Sequence, residues 1–339
     1  MAMKAMVLES MEKGAHLINV ELPEITENDE VILQIKACGV CATDIKVMKG
    51  DIETNGVPRI LGHEPMGIVV KKGSAVHNVK IGDRVVTATY VTCKSCKYCR
   101  TGRETLCEHV SARIGITMDG AFAEYMKIKC QNLVKVPDGV RDEEAAVMPC
   151  GAGVPYHALV KRIKLTPMDR VIVLGVGGVG MQALQLAALC GAETAAVDIN
   201  EDKLGMARDN GAAYTVNSSE EGYLEKLRAW GEWNVLFDTT GYPPAITGCA
   251  SILVSGSRVV LAGYGKDKSL SIPLADVVLK ELEIYGSRGV SIQDIEELMS
   301  LVERKKLQPV THIYPMQKIE QVFEDLQNNR LTGRAVIVP

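Results

Sequence analysis

Six of the ten cysteines and one histidine form two sets whose types and spacing suit metal binding. Cys93, Cys96, Cys99 and Cys107 crowd into one short stretch, spaced C-x2-C-x2-C-x7-C. Cys41, His63 and Cys150 lie far apart in the chain, so only a folded domain brings them together. Four thiolates close a tetrahedral shell around zinc, which is a structural arrangement, whereas three protein ligands leave one position open for water or substrate. Two zinc ions per chain are therefore expected, one of each kind. A zinc ribbon of a nucleic-acid binder would need two knuckles about 15–20 residues apart, and here the fourth cysteine follows after seven residues. Four thiolates leave the ion pair with excess negative charge, and Lys94, Lys97, Arg100 and Arg103 stand where they would offset it.

Cys38 and Cys41 also make a C-x-x-C pair, which in other settings is a redox pair or a zinc knuckle. A redox pair would open a helix within a thioredoxin-like βαβ unit, and no such pattern surrounds it. Ala42-Thr43-Asp44 follows instead and sets a hydroxyl and a carboxylate beside Cys41. His63 is followed by Glu64, a carboxylate able to support the imidazole. A lone histidine is more often structural than ligating; Cys41 and Cys150 make His63 a ligand candidate.

A second chemistry begins at Gly175. Gly175-Val176-Gly177-Gly178-Val179-Gly180 reads G-x-G-x-x-G, after an apolar run and before an uncharged helical stretch. Glycines in that setting let a backbone approach a pyrophosphate, and the helix N-terminus supplies amides. Asp198 lies 18 residues past Gly180, at the end of the next apolar run. A carboxylate there accepts hydrogen bonds from an adenosine ribose and repels a 2′-phosphate, so NAD is expected over NADP. Gly175, Gly177, Gly178, Val179, Gly180 and Asp198 are the cofactor-binding candidates.

The elements that must position these groups fall into two textures. Up to about residue 150 the chain has short β-branched runs broken by Gly, Pro and Asp, such as Val31–Ile35, Gly67–Val70 and Asp83–Val86, which predict an antiparallel β domain. From Arg170 apolar strands alternate with helices: Val171–Leu174, then Met181–Leu189, then Thr194–Ile199, with further strands at Val235–Asp238, Arg258–Leu261 and Glu283–Tyr285. That alternation predicts a parallel sheet with crossover helices. After Gly286 come one amphipathic helix, Ile292–Val302, and a closing strand, Ala335–Val338, with no linker before them. The tail is expected to return to the first domain. The expected organisation is α/β, with residues 1–152 and 289–339 in the metal-binding domain and 153–288 in the nucleotide-binding domain.

A chain of 339 residues exceeds what one hydrophobic core usually supports, in agreement with two domains. Its net charge of -4 offers no electrostatic footprint for nucleic acid or an anionic membrane. The first twenty residues contain no apolar stretch long enough for a signal peptide. The uncharged run Val171–Ala192 holds a glycine cluster and two glutamines, which suits strand, turn and buried helix better than a membrane span. Cysteines without a secretory signal point to reduced thiols and metal ligands. A soluble, cytoplasmic protein with a small-molecule substrate is expected.

Gly62-His63-Glu64-x2-Gly67-x5-Gly73-x2-Val76 and Gly82-Asp83-Arg84-Val85 carry a family pattern. With the metal and glycine motifs, they make the chain resemble the zinc-containing medium-chain alcohol dehydrogenases over essentially its full length. The resemblance implies a GroES-like catalytic domain, a Rossmann domain and an active site in the cleft between them. It implies Cys41, His63 and Cys150 as catalytic zinc ligands, with Cys38 a core thiol. Thr43 would be the first group of a proton relay, Glu64 a supporting carboxylate, Lys203 a contact to the ribose and Arg334 a contact to the pyrophosphate. Two positions depart from the pattern. Ala42 stands where a basic residue often follows the first zinc cysteine, which removes one pyrophosphate contact. Lys46 stands at the position of the relay histidine and becomes the candidate outer group of the relay. The implied activity is reversible oxidation of a primary or secondary alcohol to an aldehyde or ketone by hydride transfer to NAD, in a homotetramer or homodimer. The alternative is a zinc-containing reductase of a conjugated carbonyl or cyclic enone. A zinc-free quinone reductase would not keep every ligand type, and a non-enzymatic zinc module leaves Asp198 and the glycine turn without a role. Thr89 and Tyr90, just before the four-cysteine stretch, are positional candidates for a substrate pocket.

Overall fold

The computed structural model describes residues 2–339. The chain divides into two compact units, Met1–Gly153 with Gly289–Pro339 and Val154–Arg288. The class is α/β, with an antiparallel β unit and a parallel-sheet unit, as the patterning predicts.

In the first unit, β1 (Ala2–Ser10) pairs with β2 (Gly14–Glu21) and β4 (Arg59–Ile60) in a small antiparallel sheet. The larger sheet is centred on β3 (Glu30–Gly39), whose side chains are buried along almost its whole length. On one side of β3 lie β5 (Glu64–Lys72), β6 (Arg84–Thr87) and β10 (Leu133–Lys135). Its other edge is divided: β9 (Tyr125–Lys129) takes the first half and β18 (Arg334–Val338) the last two residues. β17 (Thr311–Pro315) runs parallel to β18 at the sheet's edge. β7 (Tyr90–Val91) and β8 (Ala112–Arg113) form a two-stranded ladder at the base of the cysteine loop. The core is a continuous apolar cluster that includes Leu33, Leu61, Val69 and Val85, with Phe122 and Phe323 meeting edge to face at 5.7 Å. Such aromatic pairs add a modest directional term to plain area burial.

One register positions the metal ligands. β3 and β5 pair Gly39 with Glu64, and β18 and β3 pair Val336 with Gly39. The segments that follow Gly39, precede Glu64 and open at Arg334 therefore meet at one end of three adjacent strands.

In the second unit, six parallel strands are β11 (Arg170–Leu174), β12 (Glu193–Asp198), β13 (Tyr214–Asn217), β14 (Trp233–Asp238), β15 (Leu253–Leu261) and β16 (Glu283–Gly286). Their spatial order is β13-β12-β11-β14-β15-β16. This is the doubly wound order in which the connection reverses at the first strand, and ligands bind outside the carboxyl ends of the strands at that reversal. Strands covered on both faces are apolar without alternation, as Val171–Leu174 and Val235–Phe237 show. Among the described residues no helix is long and apolar enough to cross a membrane.

Candidate functional site

The buried centre of the first unit is assembled from four separate segments. Cys41 is the N-cap of α1 (Ala42–Met48) in an extended conformation, and its amide donates to Asp44 Oδ2 at 2.9 Å. The other oxygen, Asp44 Oδ1, lies 2.9 Å from His63 Nδ1. A proton on Nδ1 donated to this carboxylate leaves Nε2 with a lone pair, the form in which imidazole ligates metals. Nε2 is buried and has no hydrogen-bond partner among the described residues. Cys150 belongs to the wide helical turn Met148–Ala152, a distortion that often marks functional positions. Its Sγ lies 3.9 Å from Cys41 Sγ. Zinc–sulfur bonds of about 2.3 Å in a tetrahedron place two sulfurs roughly 3.8 Å apart. The donor atoms of Cys41, His63, Glu64 and Cys150 all lie within 4.8 Å of one another, so the set fits a tetrahedral zinc.

Glu64 is fully buried. It receives Arg334 through Nε at 3.1 Å and through Nη2, which also lies 3.6 Å from Cys150 Sγ. Gly39 makes this possible, since a Cβ there would come within 2.2 Å of Glu64 Oε2. Burial pushes the Glu64 carboxyl up, and the guanidinium opposes that shift. A buried ion held this way is tolerated because its partner neutralises it and fills its hydrogen bonds. The sulfur pair is polarised as well. The hydrogen bond from Cys150 pushes Cys41 well below the usual thiol range, and the same contact raises Cys150.

The carboxylate on His63 Nδ1 is thus Asp44, while Glu64 lies on the Nε2 side at 3.6 Å. Asp44 is the residue that the ligand spacing by itself passes over. Its signal is the third place of a capping box that starts at Cys41. Arg334, for which the resemblance implies a pyrophosphate contact, lies against Glu64 and Cys150. Thr43 and Lys46 are half-buried one turn apart on α1. Burial pushes Lys46 below the ordinary lysine range, against the opposing charges of Cys41 and Asp51. Cys38 is a buried thiol, raised by desolvation. Thr89 is buried and Tyr90 half-buried where β7 begins.

The second cysteine set lies within one loop. Cys93 Sγ is 3.9 Å from Cys99 Sγ and 3.5 Å from Cys107 Sγ, and all four sulfurs lie within 4.8 Å of one another. Backbone amides point at the sulfurs: Cys96 N at Cys93 Sγ, 3.3 Å, and both Cys93 N and His109 N at Cys107 Sγ, 3.4 Å. Hydrogen bonds from Ser95 and the Cys96 amide push Cys93 down to about 5. Lys94 Nζ is 2.6 Å from Glu104 and Lys97 Nζ 3.1 Å from Glu108, so these two ammonium groups are also paired with carboxylates.

The nucleotide candidates gather at the carboxyl ends of β11 and β12. Gly175 turns the chain with φ of +83°, a conformation that other residues rarely adopt. An added Cβ at Gly180 would lie 1.9 Å from the Gly175 carbonyl oxygen, so the turn packs directly on the helix Gly180–Leu189. At Gly177 the same construction meets nothing within 4 Å, which leaves the backbone open to a ligand. Gly178 and Val179 complete the turn, and Val179 is the N-cap of that helix. No acidic residue occupies its first turn, so its amides and dipole are available to an anion. Asp198 ends β12 and accepts from Val176 N at 2.8 Å, Ile199 N at 2.8 Å and Asn200 N at 3.1 Å. Lys203 is buried nearby, lowered by desolvation and held up in part by Asp198.

Comparison with known proteins follows the same division. Residues 27–138 match the alcohol dehydrogenase GroES-like domain, and residues 178–304 match the zinc-binding dehydrogenase family. An alcohol dehydrogenase of Geobacillus stearothermophilus is 33% identical over 338 residues, covering 99% of this chain and 98% of the relative. The chain is similar in structure to a cobalt- and zinc-bound thermostable alcohol dehydrogenase from Pyrobaculum aerophilum, with a TM-score of 0.90 at 26% identity over all of both chains. It is likewise similar to an acetophenone reductase from Geotrichum candidum in complex with NAD, with a TM-score of 0.90 at 26% identity, covering 100% of this chain and 97% of the other.

Proposed function

This chain belongs to the zinc-containing medium-chain alcohol dehydrogenase family, and from that membership we propose that it oxidises a primary or secondary alcohol reversibly, using zinc and NAD. The observation that carries this reading is the convergence of Cys41, His63, Glu64 and Cys150 from three distant segments onto one buried point. A structural module has no need of donor atoms gathered at such distance in sequence.

Cys41, His63 and Cys150 would hold a catalytic Zn²⁺, and Cys93, Cys96, Cys99 and Cys107 a structural one. Zinc supplies Lewis acidity toward an alcohol or carbonyl oxygen, and the nicotinamide supplies the hydride acceptor. Two thiolates with a neutral imidazole balance the dication, so the pocket carries little net charge to retain a product. Asp44 fixes the ring of His63 through Nδ1, and Arg334 keeps Glu64 neutralised beside it. Thr43 takes the hydroxyl proton of the substrate and passes it outward along the helix face that carries Lys46. Gly175, Gly177, Gly178, Val179 and Gly180 receive the pyrophosphate at the helix N-terminus, while Asp198 and Lys203 receive the ribose. Like-charge repulsion between Asp198 and a 2′-phosphate favours NAD over NADP by roughly tenfold or more.

The test combines metal analysis with a panel of alcohols and carbonyls assayed with NAD and NADP. About two zinc ions per chain and NADH formation with at least one alcohol are expected. Less than one zinc per chain after zinc-replete purification, or activity on conjugated double bonds alone, would overturn the reading.

A further inference from the structure

We infer that Thr239 is a positioning residue for cofactor selection: its hydroxyl sets the Gly175–Val176 peptide, and that peptide sets the Asp198 carboxylate. The inference rests on the proposed role of Asp198 in ribose recognition and extends it to a residue on the far side of β11.

β12, β11 and β14 end side by side, since the register pairs Leu174 with Val197 on one flank and with Asp238 on the other. The chain beyond β11 is then gripped from both flanks. Val176 N donates to Asp198 Oδ2 at 2.8 Å. The carbonyl at the other end of the same peptide, Gly175 O, accepts from Thr239 Oγ1 at 2.8 Å, the shorter of two contacts of that hydroxyl, since Leu174 O lies 3.2 Å from it. N–H and C=O of a planar trans peptide point in opposite directions, so rotating this unit breaks both bonds together. The other carboxylate oxygen, Oδ1, is bound by Ile199 N and Asn200 N within its own turn. Val176 is therefore what ties Asp198 to the neighbouring strand.

Thr239 is held in place for this task. Its amide donates to Leu174 O at 3.0 Å. The turn after it is closed by buried Asp238, which accepts from Thr240 N at 2.9 Å, Thr240 Oγ1 at 2.6 Å and Gly241 N at 3.0 Å. The fit to the glycine turn is tight, since a Cβ at Gly175 would come 2.7 Å from Thr239 Oγ1 and 2.6 Å from Thr240 Cγ2. Burial raises the Asp238 carboxyl, and its three hydrogen bonds oppose that shift.

The experiment titrates the full chain with NADH and NADPH, following the fluorescence of the reduced nicotinamide. Thr239→Val keeps the shape and removes the hydroxyl, Thr239→Ser keeps the hydroxyl, and Thr239→Ala replaces the valine variant if that one does not fold. Loss of the hydroxyl should weaken NADH by about fivefold, the size of one hydrogen bond, and weaken NADPH less, so that the preference narrows. Serine should restore it. In an Asp198→Ala background, removing the hydroxyl should move the preference by less than about twofold, because the two residues act on one peptide. Melting of the nucleotide-free chain is measured in parallel. A lowered melting temperature with an unchanged NADH-to-NADPH ratio would make Thr239 merely structural and overturn the inference. A wild-type chain that binds NADPH as well as NADH would overturn the Asp198 reading itself, and this one with it.

Discussion

The two cysteine clusters solve one coordination problem by opposite routes. The loop cluster takes four sulfurs from the stretch Cys93–Cys107 and steadies them with backbone amides of Cys93, Cys96 and His109. The buried cluster takes its donors from Cys41, His63, Glu64 and Cys150 and steadies them with side chains, Asp44 on one flank and Arg334 on the other. Backbone amides cannot be removed by substituting a side chain, which suits the structural role proposed for the loop cluster. Carboxylates and guanidinium adjust charge and ring orientation, which a reacting centre needs and a structural one does not. On the roles proposed above, the difference teaches that support, more than the donor atoms, separates a site that holds from a site that works.

The sharpest way to break this contrast is to remove a donor from the buried cluster. His63→Ala should lower alcohol oxidation by about a thousandfold or more, the scale of a lost Lewis-acid interaction. The protein should remain folded, because the β3, β5 and β18 register does not depend on the imidazole. An active His63→Ala enzyme would end the proposed assignment. Asp44→Asn comes next. It keeps the shape but loses the charge at 2.9 Å from Nδ1, and support of this kind is worth about 10- to 100-fold in metal affinity or activity. A metal titration of the variant beside Glu64→Gln would show which carboxylate sets affinity; a larger effect at Glu64 would reverse the assignment made here.

Cys93→Ser should act on the other axis. Metal binding in a closed site is folding free energy, so the variant should melt lower by roughly 5 °C or more while the folded fraction keeps most of its turnover. Equal loss of turnover and stability would erase the distinction between the clusters. The smallest effect is expected at Lys46. Burial lets this lysine lose its proton at lower pH than an exposed one, because desolvation disfavours the ammonium. Lys46→Ala should nevertheless stay far short of the roughly hundredfold loss of a working acid–base group, with water finishing the relay and the pH optimum unmoved. Slowed oxidation at low pH in Lys46→Ala, restored by Lys46→His, would instead make this position the end of the relay.

Much of this was legible in order of locality. The loop cluster, the glycine turn and the alternation of apolar strands with helices are set by residues close together in the chain, where turn geometry and periodicity act directly. The limits of β12 moved by only a residue, expected at Thr194–Ile199 and found at Glu193–Asp198, whereas β15, expected at Arg258–Leu261, begins at Leu253, and β3, expected to end at Ile35, runs to Gly39. The edge strand β17 was not legible, since Thr311–Pro315 is short, ends in proline and gains its identity from the parallel partner β18. The helix Ile319–Gln327 carries its apolar face on Ile319, Val322 and Phe323, but two turns of period are too few to stand out from the surrounding sequence.

By itself the sequence determined the chemistry on offer: thiolates and an imidazole for zinc, a glycine turn for a pyrophosphate, and a carboxylate for a ribose. Tertiary structure decided which groups serve which. Asp44, not Glu64, orients His63 because α1 turns back over its own N-cap. Arg334 meets Glu64 because β18 inserts beside the last residues of β3, across 270 positions of chain. Thr239 reaches Gly175 because β14 runs parallel to β11 in the same sheet. Each of these contacts is a consequence of strand register, and register is a property of paired strands that no single stretch of sequence contains.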